Sequence, residues 1–277
     1  MKTETQVSGR VATPAFARNA IDTSAKVWFA TALVGQAIFS YYIVAFYYVS
    51  TANWDIERFN HTMPAGYIEG DILGNLAVIG HVLFAAIITL GGLMQLVPML
   101  RTKLPALHRW NGRLYILTAL IMSFSGAFMI ITRYDKVVGD LFAHTALMIN
   151  GAIIVTCAIL AFKMARRRQF AQHRVWALRL FVAVSGVWFF RIGFMAWNML
   201  HGRPVGWDPA SFTGPFLTVL QALVYILPLA VLEIYLRAKA RGTANQKLAT
   251  AAGIVLLSAV MMWGIFGATM GMWLPRI

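Results

Sequence analysis

Seven stretches of this 277-residue chain are apolar over roughly 20 residues or more: about 27–50, 74–99, 112–132, 141–164, 174–199, 213–237 and 248–273. A helix needs about 20 residues to cross a hydrocarbon core ~30 Å thick. Backbone in lipid must satisfy its own hydrogen bonds, and a helix does so within one segment. These runs predict an all-α integral membrane protein with about seven transmembrane helices. Charged residues make up only 12% of the chain, against about 25% in a soluble domain. A single transmembrane domain is expected over 27–273, with a tail at 1–26 and a short tail at 274–277. The polar, basic start of the chain has no apolar core of a cleavable signal, so the first run is expected to stay as an anchor. Cys157 is the only cysteine. That excludes a disulfide within the chain and argues against a cysteine-held metal or iron–sulfur site.

The net charge of +14 is an orientation signal. The first tail and the turns 100–113, 162–179 and 237–247 together carry sixteen excess positive charges, and the opposite segments carry two excess negative ones. By the positive-inside rule the N-terminus is cytoplasmic, in a bacterial cytoplasmic (inner) membrane, with the bilayer as the first partner. With the charge assigned to turns and no soluble basic domain present, a nucleic-acid role is not expected. The first span ends in Tyr41, Tyr42, Tyr47, Tyr48 and Trp54, as rings at a headgroup layer do. Pro215 and Pro228 predict a kink in the sixth span, and the uniformly apolar seventh reads as peripheral.

Two phrases repeat. "ALHRWNGRLY" begins at Ala106 and "AQHRVWALRL" at Ala171. Each follows an upstream histidine: His81 lies 27 residues before His108, and His144 lies 29 before His173. The layout suggests an internal duplication within a four-helix core formed by spans 2–5, residues 74–199. Sidedness then sets the levels. Spans 2 and 4 run inward, which puts His81 and His144 towards the outer face. Spans 3 and 5 start inside, which puts His108 and His173 at the inner face. Two imidazoles from different helices at each of two levels is the arrangement that two b-type haems require. Haem propionates need cations: Arg109, Arg113, Arg174 and Arg179 flank the inner pair, and Arg191 lies ~12 Å deep from the outer side. An intramembrane arginine is a functional candidate by default.

Plainer readings stand beside these. His108 and His173, with their arginines and tryptophans, are equally suited to anchoring at lipid phosphate. His81 and His144 can be hydrogen-bonded residues between helices. Arg191 can pair with Glu69 or Asp71. Glu233 is placed to pair with Arg237 four residues on. His61 and His201 read as solvated loop residues.

The segments "HVLFAAIITLGGLMQLVPMLR", "LHRWNGRLY" and "HRVWALRLFVAVSGVWFFR" resemble a broad family of predicted bacterial membrane proteins with no assigned function. That resemblance covers roughly residues 75–195 and implies a multi-span fold but no reaction. The four-histidine order also resembles the di-haem transmembrane cytochromes b that take electrons from ascorbate or quinol. That second resemblance implies first-with-third and second-with-fourth ligand pairing, which here is His81–His144 and His108–His173. The functions to weigh are therefore three. One is electron transfer through two haems between a quinol or small reductant and an acceptor on the other face. Another is a non-catalytic membrane subunit or lipid-binding scaffold, as a homodimer or with a partner subunit. The third is a small-solute or proton transporter with Arg191, Gln95, Asn150 and Gln221 along a polar path. No G-x-S-x-G, H-E-x-x-H or P-loop points to a hydrolase.

Overall fold

A computed structural model describes residues 14–63, 65–134, 136 and 139–277. Helix α1 (Ala15–Ile43) passes through a π turn, Val44–Tyr48, into α2 (Val49–Ala52). The remaining helices are α3 (Ile72–Leu96), α4 (Pro98–Lys103), α5 (Pro105–Thr132), α6 (Leu141–Arg166), α7 (Phe170–Val184), α8 (Gly186–His201), α9 (Pro215–Arg241) and α10 (Ala244–Ala268). Six helical segments are long and apolar enough to cross a membrane. The α7–α8 pair makes a seventh if its 49° bend lies within one span. The chain is thus an all-α multi-span membrane protein, and no strand occurs among the described residues.

The sequence specifies where these helices begin. Asp71 caps α3 by accepting from the Gly74 amide at 2.9 Å, and Asp140 caps α6 by accepting from Ala143 at 2.8 Å. Thr243 and Gln246 form a capping box on α10. Pro105 and Pro215 open α5 and α9 at a position where a missing N–H costs nothing. Pro215 therefore starts its helix instead of kinking it; only Pro228 lies inside α9.

Several expected boundaries shift. The first span begins at Ala15, so much of the expected 1–26 tail is helical; residues 1–13 lie outside the described set. The early start has a packing cause. Ile21 is buried with Ala238 and Ala251, and Asp22 accepts from Lys239 at 2.6 Å, tying α1 to α9 and α10 at their inner ends. The 274–277 tail is drawn into a final helical turn, Leu274–Arg276. The seventh span is not peripheral. Helix α10 lies along α1 and α8, and Trp273 just beyond it is fully buried against Phe39 and Tyr42.

The fifth span breaks at Ser185. Its hydroxyl donates to the Phe181 carbonyl four residues back, at 2.8 Å, and Gly186 follows. A Ser–Gly pair is a recognised cause of kinks, and back-bonding by serine bends a helix. Gln36 of α1 donates to the Ser185 hydroxyl at 2.9 Å, and Asn150 of α6 donates to the Ala183 carbonyl at 3.2 Å. The bend is thus held from two sides by buried polar groups.

Helices α3, α5, α6 and α7 pack in the expected core. Ile88, Tyr115, Ala119, Cys157, Ala158 and Leu180 fill its interior. Tyr115 and Leu180 each lie seven residues, about 10 Å, above the inner histidine of the same helix.

Candidate functional site

The two repeated phrases fold in the same register. Pro98 ends α3 through an extended Val97, and a short α4 leads to Pro105. After α6, a turn through Arg168 at φ 57° leads to Phe170. His108 is therefore the fourth residue of α5, and His173 is the fourth residue of α7. Both line one cavity of about 1620 Å³, larger than the roughly 300–1,000 Å³ of a usual small-molecule pocket. They are close enough to act on each other electrostatically.

The surroundings of the rings define their free atoms. His173 Nδ1 lies 2.9 Å from the Ala161 carbonyl oxygen. A carbonyl only accepts, so Nδ1 carries the proton and Nε2 keeps a free lone pair. This is the usual way a ligating histidine is oriented. His108 Nδ1 is buried without a hydrogen-bond partner among the described residues. Gln95 Nε2 donates to the His108 backbone carbonyl at 3.0 Å and holds the start of α5 against α3. A buried nitrogen with no partner carries a desolvation cost that a ligand can relieve.

The cations divide. Arg109, Arg113 and Arg174 line the cavity beside the histidines, joined by Arg101 and Arg166, which the sequence reading did not single out. Arg113 stacks on Trp110 with 4.8 Å between guanidinium and ring centre. Arg179 is engaged elsewhere. Its Nε donates to Glu233 at 2.7 Å and its guanidinium lies 4.3 Å over Trp176, so it ties α7 to α9. Glu233 thus pairs across helices with Arg179 and not with Arg237 on its own helix.

At the outer side the two histidines have different neighbours. His81 Nδ1 is 2.9 Å from Ser125 Oγ on α5, and His144 packs edge-on against Tyr134 at 4.7 Å. Ser125 lies seven residues before the end of α5 at Thr132, and Tyr134 lies beyond that end. His81 thus lies along α5, and His144 lies beside the segment that follows it. Arg191 lies 5.2 Å over the Phe39 ring, and no carboxylate pairs with it among the described residues.

Asp71, one of its expected partners, is held by Arg133 at 2.7 Å. Arg133 also donates to Asn75 Oδ1 and to the Ala65 carbonyl, and it is 5% exposed. Sequence reasoning missed this cluster, because Arg133 was counted as one charge in a neutral loop. The Gly74 amide, and after it Arg133, hold the Asp71 carboxyl below its ordinary value. A lowered folded value stabilises above the unfolded one and is lost as pH falls through the folded one. Arg133→Met is expected to lower stability near neutral pH, since it removes the bonds to Asp71, Asn75 and Ala65 together. Thermal melts should show the gap to wild type narrowing as pH drops below 3.8, the unshifted value; a gap constant with pH would remove Asp71 from the account.

The transporter residues do not line one path. Gln95 is in the inner cavity, Asn150 is at the α7–α8 bend, and Gln221 borders a small outer cleft beside Asp140. Among the described residues no three His, Cys, Asp or Glu side chains gather to hold a metal ion. Two-histidine ligation of haem requires no such group.

Fold and cavity together define a multi-pass helical membrane protein with a basic, histidine-bearing chamber at one end. Residues 78–208 match the family described as Predicted membrane protein (DUF2306), which spans all four histidines and both repeated phrases. No curated protein and no solved structure matches the chain.

Proposed function

We propose that this is an electron carrier of the bacterial cytoplasmic membrane that holds one b-type haem at the inner cavity. The observation that carries the reading is the convergence of His108 and His173, at the same position of two helices, on one arginine-bordered cavity. Bound haem supplies one-electron redox chemistry. The chain's own residues supply the rest. His108 and His173 offer ring nitrogens, Ala161 fixes one tautomer, and Arg109, Arg113 and Arg174 neutralise propionates. Burial among the helices tunes the potential. A donor carried in the bilayer, a quinol or small reductant, would exchange with an acceptor at the cytoplasmic face. The reading keeps to one haem because the cavity's lining includes His108 and His173 but neither His81 nor His144.

The test is the visible spectrum of protein purified from haem-replete cells. A Soret band, a reduced α-band and about one haem per chain are expected; absence of both bands would overturn the reading. A second reading, a lipid-binding scaffold working as a homodimer or with a partner subunit, is favoured by the apolar walls of the same cavity. It predicts copurifying lipid with no absorbing cofactor.

A further inference from the structure

We propose that the cavity also seats a polyprenyl phosphate, with its phosphate at the inner arginines and its chain along the apolar corridor above them. The inference goes beyond the haem reading and does not depend on iron at His108 and His173. Three observations carry it.

The first is polarity. The inner end of the cavity is bordered by Lys26, Arg101 and Arg166 as well as the arginines beside the histidines. Farther out the lining is Leu223, Leu227, Val231, Leu257 and Val260, of which Leu223, Leu227 and Val260 are also exposed at the surface, with Gly193 and Ala196 of α8 at the far end. A charged end continuing into an apolar groove fits an amphiphile with one anionic head.

The second is charge. Lys26, Arg101, Arg109, Arg113, Arg166 and Arg174 line the cavity without a carboxylate partner among the described residues. With Arg109, Arg113 and Arg174 answering the propionates, Lys26, Arg101 and Arg166 are left. Clustered cations repel one another and attract a phosphate, which accepts charge-assisted hydrogen bonds from guanidinium groups. An uncharged lipid leaves that demand unmet. Arg101 and Arg166 are the head-group candidates, because the other arginines flank the histidines.

The third is length. Along α9 the lining runs from Lys239 to Leu220. Nineteen residues at 1.5 Å each are about 28 Å, close to the full ~30 Å of the hydrocarbon core. A phospholipid acyl chain serves one leaflet, about half of that. A chain that follows the corridor to its end belongs to a longer, isoprenoid class.

The experiment uses the full chain in detergent, stripped of lipid, with bound lipid counted by native mass spectrometry. The probes are a long polyprenyl monophosphate, the corresponding uncharged prenol, phosphatidylglycerol and a prenyl quinone. One polyprenyl phosphate per chain is expected, held about tenfold more tightly than the prenol or phosphatidylglycerol. Arg101→Gln with Arg166→Gln should remove the preference for phosphate over prenol. A Cβ on Gly193 already lies 3.1 Å from Leu220, so Gly193→Trp should close the corridor's far end. It should weaken the long-chain phosphate and spare one of two isoprene units. Ala196→Leu serves the same end should Gly193→Trp not fold. Equal binding of phosphatidylglycerol, tighter binding of the quinone, or unchanged long-chain binding in both corridor variants would overturn the proposal. Haem absorbance read on the same samples keeps the two readings apart: lipid binding without haem sinks only the electron carrier, and haem without lipid preference sinks only this inference.

Discussion

Replacing His108 or His173 by alanine is expected to strip the protein of haem, from about one per chain to less than about a tenth, while His81→Ala and His144→Ala retain it. The two inner rings enter the cavity from different helices, so loss of either leaves the iron with one protein ligand and a weakened grip. His81 Nδ1 is engaged by Ser125 of α5, and His144 is buried against Tyr134. Neither lines the cavity that holds His108 and His173. Haem content per chain, measured as the pyridine complex on protein normalised by amino-acid analysis, checks all four variants. A fall to half in His81→Ala would restore the two-haem arrangement. Full retention in both His108→Ala and His173→Ala would remove the inner site.

Much of this was legible in the sequence, and what was missed has physical causes. Apolar run length gave the spans because lipid imposes one requirement on every segment, and the count of seven holds with the bent pair as one span. The shared register of His108 and His173 followed from the repeated phrases, since each phrase opens a helix after a basic turn. Depth was harder. Sequence distance placed His81 and His144 on the same side, but could not show that their neighbours are Ser125 and Tyr134. Charge partners were harder still. Asp71 was matched to Arg191 and Glu233 to Arg237 by proximity along the chain or by side of the membrane. The fold chose Arg133 and Arg179, which come from helices packed alongside. The break in the fifth span did have a signal, the adjacent Ser185 and Gly186, but a long apolar run masks it. The corridor had no signal, because its walls are ordinary leucines and valines drawn from helices distant in sequence.

Gly264→Val is expected to destabilise the protein by about 3 kcal/mol, lowering its melting temperature by roughly 6–12 °C. Helix α10 crosses α8 at this glycine. A Cβ built there would collide with the carbonyl oxygen of Ile192 and come within 3.1 Å of its Cβ. The obstacle is backbone, which cannot rotate aside as a side chain can, so the helices must separate. Close approach of this kind, allowed by small residues, is a main source of helix association in lipid. Gly253, on the same helix, has nothing within 4 Å of a built Cβ. Gly253→Ala should therefore be neutral or stabilise by up to about 1 kcal/mol, since it meets no neighbour and restricts the unfolded chain. A comparable loss in both variants would point to helix propensity and not to the crossing. The effect should also reach the cavity. Ile192 and Gly193 line it from α8, whose direction is set by the bend at Ser185 and whose distance from α10 is set by Gly264. A variant that pushes α8 outward should widen the corridor and loosen a bound chain. The proposed haem site at the start of α5 and α7 lies on the other side of the bend, so haem content should not change.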